Sequence, residues 1–338
     1  MTRPHAGEAE IRAGAEVLAP LRTALRGVLF GQEALLDAVI VGVLARGHLL
    51  LEGLPGLGKT ALVKGLARAV GLDTKRLQFT PDLLPGDITG NPILQEADGR
   101  RQFVFQPGPV FAHLVLADEI NRASPKTQSA LLEAMQERIV TVLGEAHPLP
   151  DPFFVLATQN PIELEGTYPL PEAQLDRFLF KLEVRDSPVA VLERIVKERD
   201  IGVDAEVPRV LGREDLLGLI ELARRVFLPD VVAQYIARLV HATHPGRSQA
   251  SSGVRYGASP RAALALAAAG RAQALLDGRL NVAFEDVRAL ARPVLVHRLV
   301  MDHRARIDGR GPGEVVDALL EEVPAHDRTL PATLESVS

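Results

Sequence analysis

LLLEGLPGLGKTALVKGLA, Leu49 to Ala67, is the stretch that decides how this chain is read. An apolar run breaks into three glycines and a proline, then closes with Lys59, Thr60 and a helical spacing of apolar residues. GLPGLGKT, residues 53–60, satisfies G-x-x-x-x-G-K-[ST]. Glycines at these places let backbone N–H groups close around phosphate oxygens, and a helix starting at Lys59 adds the positive end of its dipole. In such a loop Lys59 reaches the β and γ phosphates and the Thr60 hydroxyl ligates Mg2+. The pattern alone is a candidate; a strand before it and a helix after it are the context it requires.

That context extends along the chain. Five short segments, nearly apolar on both faces, follow one another: HLLLEG (48–53), KRLQF (75–79), HLVLAD (113–118), FFVLATQ (153–159) and FLFKLEV (178–184). Such runs suit a parallel sheet covered by helices on both sides, so the fold class is α/β with a five-stranded parallel sheet. Residues 8–45 read as helix with a break at 26–32, where Gly27 and Gly31 loosen the chain. Two connections read as hairpins, about 91–108 around Asp98-Gly99 and 138–150 around Gly144. After RDSP (185–188) the strand signal stops and amphipathic helices follow, with helix-start chemistry at Ser259-Pro260 and Asp286. The expected division is an α/β core over 1–186, a helical domain over 187–305, and a loosely attached tail over 306–338.

Composition narrows the setting. At 338 residues, one large domain and a smaller one is the natural expectation. Aromatic residues make up 4% and Trp is absent, so the core must be aliphatic. A net charge of −5 gives no global attraction for nucleic acid or an anionic membrane. Zero cysteines remove disulfides and thiolate metal sites. The start of the chain has no apolar signal segment, and ALLDAVIVGVLARGHLLLEG (34–53) is interrupted by Asp37, Arg46 and His48 before it could span a bilayer. A cytoplasmic protein is expected.

Downstream residues supply partners for the loop. LVLADE (114–119) ends an aliphatic strand in two carboxylates: Asp118 can hold Mg2+ through water and Glu119 can activate the attacking water. An acidic turn at a strand end is the alternative. Asn160, after the next strand, could hydrogen-bond the attacking water or the γ-phosphate, or mark a turn before Pro161. Arg177 in LDRF and Arg261 in GASPRA could stabilise developing phosphate charge, or make surface ion pairs. His241 with His244, and His297 with His303, read as solvated or helix-end histidines, since no H-E-x-x-H occurs. The basic hairpin tip, Gly99 to Arg101, is a weak nucleic-acid candidate in an acidic chain poor in aromatics.

Taken together, GLPGLGKT, LADE, TQNP, LDRF and GASPRA, in that order, resemble AAA+ ATPases and specifically the MoxR family. The resemblance runs from about 20 to 302 and includes FGQ (30–32), RLQFTPDLLPGDITG (76–90), FVFQPGPVF (103–111) and LADEINRASPKTQSALLEAMQE (116–137). It implies an AAA+ P-loop core followed by a small all-helical lid. The P-loop set would be Gly53, Leu54, Pro55, Gly56, Leu57, Gly58, Lys59, Thr60 and Ala61, with Val28, Gly31 and Gln32 bordering the adenine. Asn160 would be sensor 1, Arg261 sensor 2, and Arg177 the arginine finger offered to a neighbouring subunit, with Arg122 of INRA a second candidate for that contact. The hairpins would be the pore-lining inserts of this branch.

The resemblance further implies ATP hydrolysis with Mg2+ in a homo-oligomeric ring, expected as a hexamer. The work done would be chaperone-like remodelling or maturation of a protein client, with a von Willebrand factor A partner. A nucleic-acid motor and a magnesium-chelatase-like metal-insertion ATPase are the competing readings.

Overall fold

The computed structural model describes residues 4–53, 58–97, 100–160, 167–184, 186–200 and 203–325. In chain order the elements are α1 (Glu8–Arg26), α2 (Glu33–Leu44), β1 (His48–Glu52), α3 (Lys59–Val70), β2 (Thr74–Gln78), α4 (Pro85–Thr89), β3 (Gly90–Ala97), β4 (Arg100–Pro107) and β5 (Leu114–Asp118). There follow α5 (Pro125–Glu137), β6 (Ile139–Val142), β7 (Glu145–Pro148), β8 (Phe154–Gln159), α6 (Glu172–Leu175), β9 (Phe178–Glu183) and α7 (Val189–Glu198). The chain continues through α8 (Arg213–Arg225), α9 (Asp230–Ala242), β10 (Val254–Tyr256), α10 (Pro260–Leu276), α11 (Phe284–Leu295), β11 (Val300–Met301), α12 (His303–Ile307) and α13 (Pro312–Glu322).

The five expected strands form one parallel sheet in the order β2-β5-β8-β1-β9. Their period of two sorts the core. Leu49, Leu51, Leu114, Leu116, Phe154 and Leu156 join an apolar cluster with α1, α2 and α3. Leu50, Val115, Ala117, Val155 and Ala157 join a second cluster on the opposite face with α5. A run apolar at every position is what a sheet buried on both faces requires. At the start of β1 the buried ring of His48 takes the place of an aliphatic residue, with Nε2 3.1 Å from the Met135 carbonyl and Nδ1 accepting from the Val155 N–H.

The two hairpins are antiparallel pairs, β3–β4 and β6–β7. Leu143 and Gly144 turn the second with φ of 52° and 83°; Asp98 and Gly99, the expected turn of the first, lie outside the described residues. The foot of β3–β4 closes through Gly90, at φ 96°, whose missing side chain leaves room for the Gln106 carbonyl and the Gly108 N–H. The hairpins touch where Phe105 stacks on His147, ring centroids 4.2 Å apart.

Helical packing crosses the boundary expected at 187. A side chain at Gly14 of α1 would collide with Leu222 on α8 and Leu275 on α10, so the first helix lies against the C-terminal helices. A short antiparallel pair, β10–β11, accompanies those helices.

The tail differs from expectation. Residues 312–322 form α13, with Val315, Val316 and Leu319 fully buried against α9 and α11, so the chain is docked as far as Val323. The glycines at 309, 311 and 313 obscure this helix in the sequence, and burial of its three aliphatic residues drives it onto the bundle. His297, expected to be solvated or at a helix end, follows α11 but is buried, with Nε2 3.0 Å from the Phe178 carbonyl. Among the described residues, no helix is long and apolar enough to cross a membrane.

Candidate active site

The carboxyl ends of β1, β5 and β8 converge on a cavity of about 380 Å3, lined by Gly58, Lys59, Thr60, Arg76, Gln78, Asp118, Glu119 and Asn160. The convergence follows from topology: in a parallel sheet every strand delivers the residue after its last pair to the same edge. Gly58 begins α3 at φ 81°, a left-handed backbone that glycine adopts freely. Lys59 Nζ donates to the Gly53 carbonyl at 2.7 Å, which folds the side chain back over its own loop. Partial burial of this ammonium lowers its pKa, and the nearby Asp118 and Glu119 oppose that shift. Leu54, Pro55, Gly56 and Leu57 lie outside the described residues, while Ala61 sits in the first turn of α3.

The acidic pair is held by a network that the sequence reading missed. Thr158, fully buried on β8, donates its hydroxyl to Asp118 Oδ1 at 2.6 Å and accepts the Glu119 N–H at 2.8 Å. Asp118 Oδ2 accepts from Arg76 Nη2 at 2.6 Å, and the same nitrogen donates to Gln78 Oε1 at 2.9 Å. Gln78 Nε2 in turn donates to Glu119 Oε2 at 2.8 Å. Glu119 has φ 56°, an uncommon conformation for a residue with a side chain, and the Thr158 and Gln78 contacts hold it there. The available signal was polar residues, Arg76, Gln78 and Thr158, near the carboxyl ends of otherwise apolar strands.

Asn160 lines the cavity and is 7% exposed, with its carbonyl accepting from Asn121 Nδ2 at 3.3 Å. Arg122 Nη1 donates to Glu119 Oε2 at 2.9 Å, so it is engaged within its own chain. Val28 is buried beside Gly65 of α3, and Gly31 lies under Val191 of α7. Gln32 lines a different groove, between α2, β9 and α11.

The structure does not bring Arg177 or Arg261 to this cavity. Both lie at the start of β9, whose first residue is paired with His48 at the amino end of β1. The opposite, carboxyl edge of the sheet carries the cavity, and five residues at about 3.3 Å each separate the edges by roughly 16 Å. Arg177 Nη1 donates to the Leu132 carbonyl at 2.8 Å, and its Nε is buried without a hydrogen-bond partner. Arg261 Nη1 lies 3.9 Å from Asp176 Oδ2. Asp176 also accepts from Ser259 Oγ at 3.0 Å and from Arg298 Nε at 2.8 Å, so one carboxylate gathers the elements that carry both arginines.

Comparison with known proteins places this geometry. The model of the ATPase family associated with various cellular activities (AAA) matches residues 48–180, and that of the AAA lid domain matches 247–322. Chaperone MoxR1 of Mycobacterium tuberculosis is 46% identical over 303 residues, 88% of this chain and 80% of that protein. Protein MoxR of Paracoccus denitrificans is 33% identical, covering 89% of this chain and 94% of its own length. A crystal structure of a candidate ATPase from Cytophaga hutchinsonii superposes with a TM-score of 0.86 at 37% identity, over 94% of this chain and 97% of that one.

Proposed function

We propose that this chain, which belongs to the MoxR family of AAA+ ATPases, hydrolyses ATP in the cavity between β1, β5 and β8, within a ring of copies of itself. The observation that carries the reading is the meeting of Lys59, Thr60, Asp118, Glu119 and Asn160 around one cavity, while Arg177 and Arg261 lie together at the far edge of the sheet. The cavity has the groups to bind a phosphate chain and activate water. The arginines that would neutralise transition-state charge are out of reach of it and are available to a neighbour's.

In this reading the Gly53–Ala61 loop and the start of α3 bind the phosphates. Lys59 leaves the Gly53 carbonyl for the β and γ oxygens. Val28 and Gly31, beside α3, border the base, with Gln32 just beyond them. Glu119 accepts the proton of the attacking water, and Asn160 orients that water or the γ-phosphate. Thr60 and Asp118 would hold Mg2+: both are oxygen donors, and Asp118 already carries a cationic guanidinium in that place. When bound, the ion neutralises charge on the transferred phosphoryl group. Arg177 and Arg261 then complete the site of the adjacent subunit, and Arg122 stays with its own Glu119.

The client surface is assigned to the hairpins. Leu94 and Phe103, directly paired across β3–β4, are 55% and 65% exposed, and Leu143 at the second turn is 70% exposed. Exposed apolar side chains on projecting hairpins suit a polypeptide better than a phosphate backbone. Together with the name of the mycobacterial relative, this favours chaperone-like remodelling in the cytoplasm, with a von Willebrand factor A partner, over a nucleic-acid motor. ATP turnover measured with and without DNA at physiological salt tests the choice. Little stimulation is expected, and strong stimulation by DNA would contradict the chaperone reading.

A further inference from the structure

Both oxygens of Asp118 are occupied in the nucleotide-free chain. Oδ1 accepts from Thr158, which is buried, and Oδ2 accepts from Arg76, whose side chain is 54% exposed. A divalent cation or its bound water can reach this carboxylate only by taking one of the two places. Thr158 is fixed in the sheet and also holds the Glu119 N–H, whereas Arg76 stands on the edge strand β2 with room to swing. We propose that Arg76 is the resident counter-ion of Asp118, leaving that carboxylate when a nucleotide enters with its metal ion. The proposal rests on the reading of Asp118 as the carboxylate that faces the metal.

The geometry around Arg76 gives the exchange a second effect. Gln78 lies two residues along the same strand, on the same face, and directly opposite Asp118. Arg76 donates to Gln78 Oε1, which turns the other end of that amide towards Glu119. With Arg76 in place, the amide is fixed and Glu119 is held by it. Once Arg76 departs, Gln78 loses the contact that orients it, and its hold on the general base weakens. Arrival of the metal-bearing nucleotide at Asp118 is thereby linked to release of Glu119 through a hydrogen-bonded chain of four side chains. An ordinary surface ion pair would carry neither consequence.

Binding of Mn2+, followed by electron paramagnetic resonance with a non-hydrolysable ATP analogue present, tests the exchange without turnover. Arg76→Ala is expected to bind Mn2+ about threefold more tightly than the unaltered chain, the scale of a half-exposed ion pair, and Arg76→Lys to fall between them. Affinity for a fluorescent nucleotide in EDTA should be unchanged in both. Mn2+ affinity that is equal or weaker in Arg76→Ala, or nucleotide affinity lost in EDTA, would overturn the proposal. Arg76→Gln replaces the alanine variant if the latter lowers the unfolding midpoint. Lys59→Ala separates the two readings: if it still binds nucleotide, the assignment of the cavity fails, independently of Arg76.

Discussion

Asp176 and Arg298 form an ion pair of 2.8 Å at the foot of β9, with the Arg298 side chain 3% exposed. Arg298 also donates to the carbonyls of Phe178, Leu179 and Val294. A charge so buried is tolerated because its donors are matched, and removing the carboxylate leaves it uncompensated. Asp176→Ala should lower stability by about 3 kcal/mol, measured by urea denaturation, with Asp176→Asn less damaging because it can still accept from Ser259. A midpoint unchanged in the alanine variant would show that the carboxylate is not what balances Arg298.

His48 sets a pH dependence. Its ring is neutral in the fold, donating to Met135 and accepting from Val155, and a second proton would face the Val155 N–H. Burial brings its pKa down to about 4. Between that value and the ordinary 6.5 the unfolded chain binds more protons than the folded one, so stability falls as pH falls. The loss from His48 between pH 7 and pH 5 is about 2 kcal/mol, and buried His297, also shifted down, adds in the same direction. Denaturation at both pH values, repeated on His48→Asn, should show a smaller loss in the variant; an identical loss would contradict the assignment.

Lys59 and Glu119 line one cavity but are assigned different tasks. Lys59→Ala should lower affinity for ATP by at least about tenfold, the effect of losing a phosphate-bound ammonium. Glu119→Gln should bind ATP within about twofold of the unaltered chain and lose about 10²-fold or more in turnover. Equal loss of binding in the two variants, measured by isothermal titration, would contradict the division of labour.

The sheet was legible because each strand carries its own signal: an apolar run such as HLVLAD needs burial on both faces wherever it lies. Lys59, Asp118, Glu119 and Asn160 were legible because motif and strand end coincide. Arg76, Gln78 and Thr158 were not, since their contacts cross between neighbouring strands and depend on the order β2-β5-β8, which spacing within a strand does not state. The placement of Arg261 was hidden for a related reason. What settles it is Asp176, 85 residues earlier in the chain, whose carboxylate lies beside Arg261 and the Ser259 hydroxyl at the far edge of the sheet. In α13 the apolar spacing was present, but flanking glycines masked it and only packing against α9 and α11 makes it a helix.

The central claim is that the site is completed by a neighbouring copy, and mixing two inactive variants tests it most directly. Glu119→Gln lacks the general base but keeps Arg177, and Arg177→Ala has the reverse defect. Each alone should show little turnover. In mixed oligomers some cavities would pair an intact Glu119 with an intact Arg177 from the adjacent copy, so ATP hydrolysis should recover in proportion to the mixed fraction. No recovery, with mixed oligomers demonstrated by differential tagging, would contradict the composite site and return the search for its arginine to the cavity's own chain.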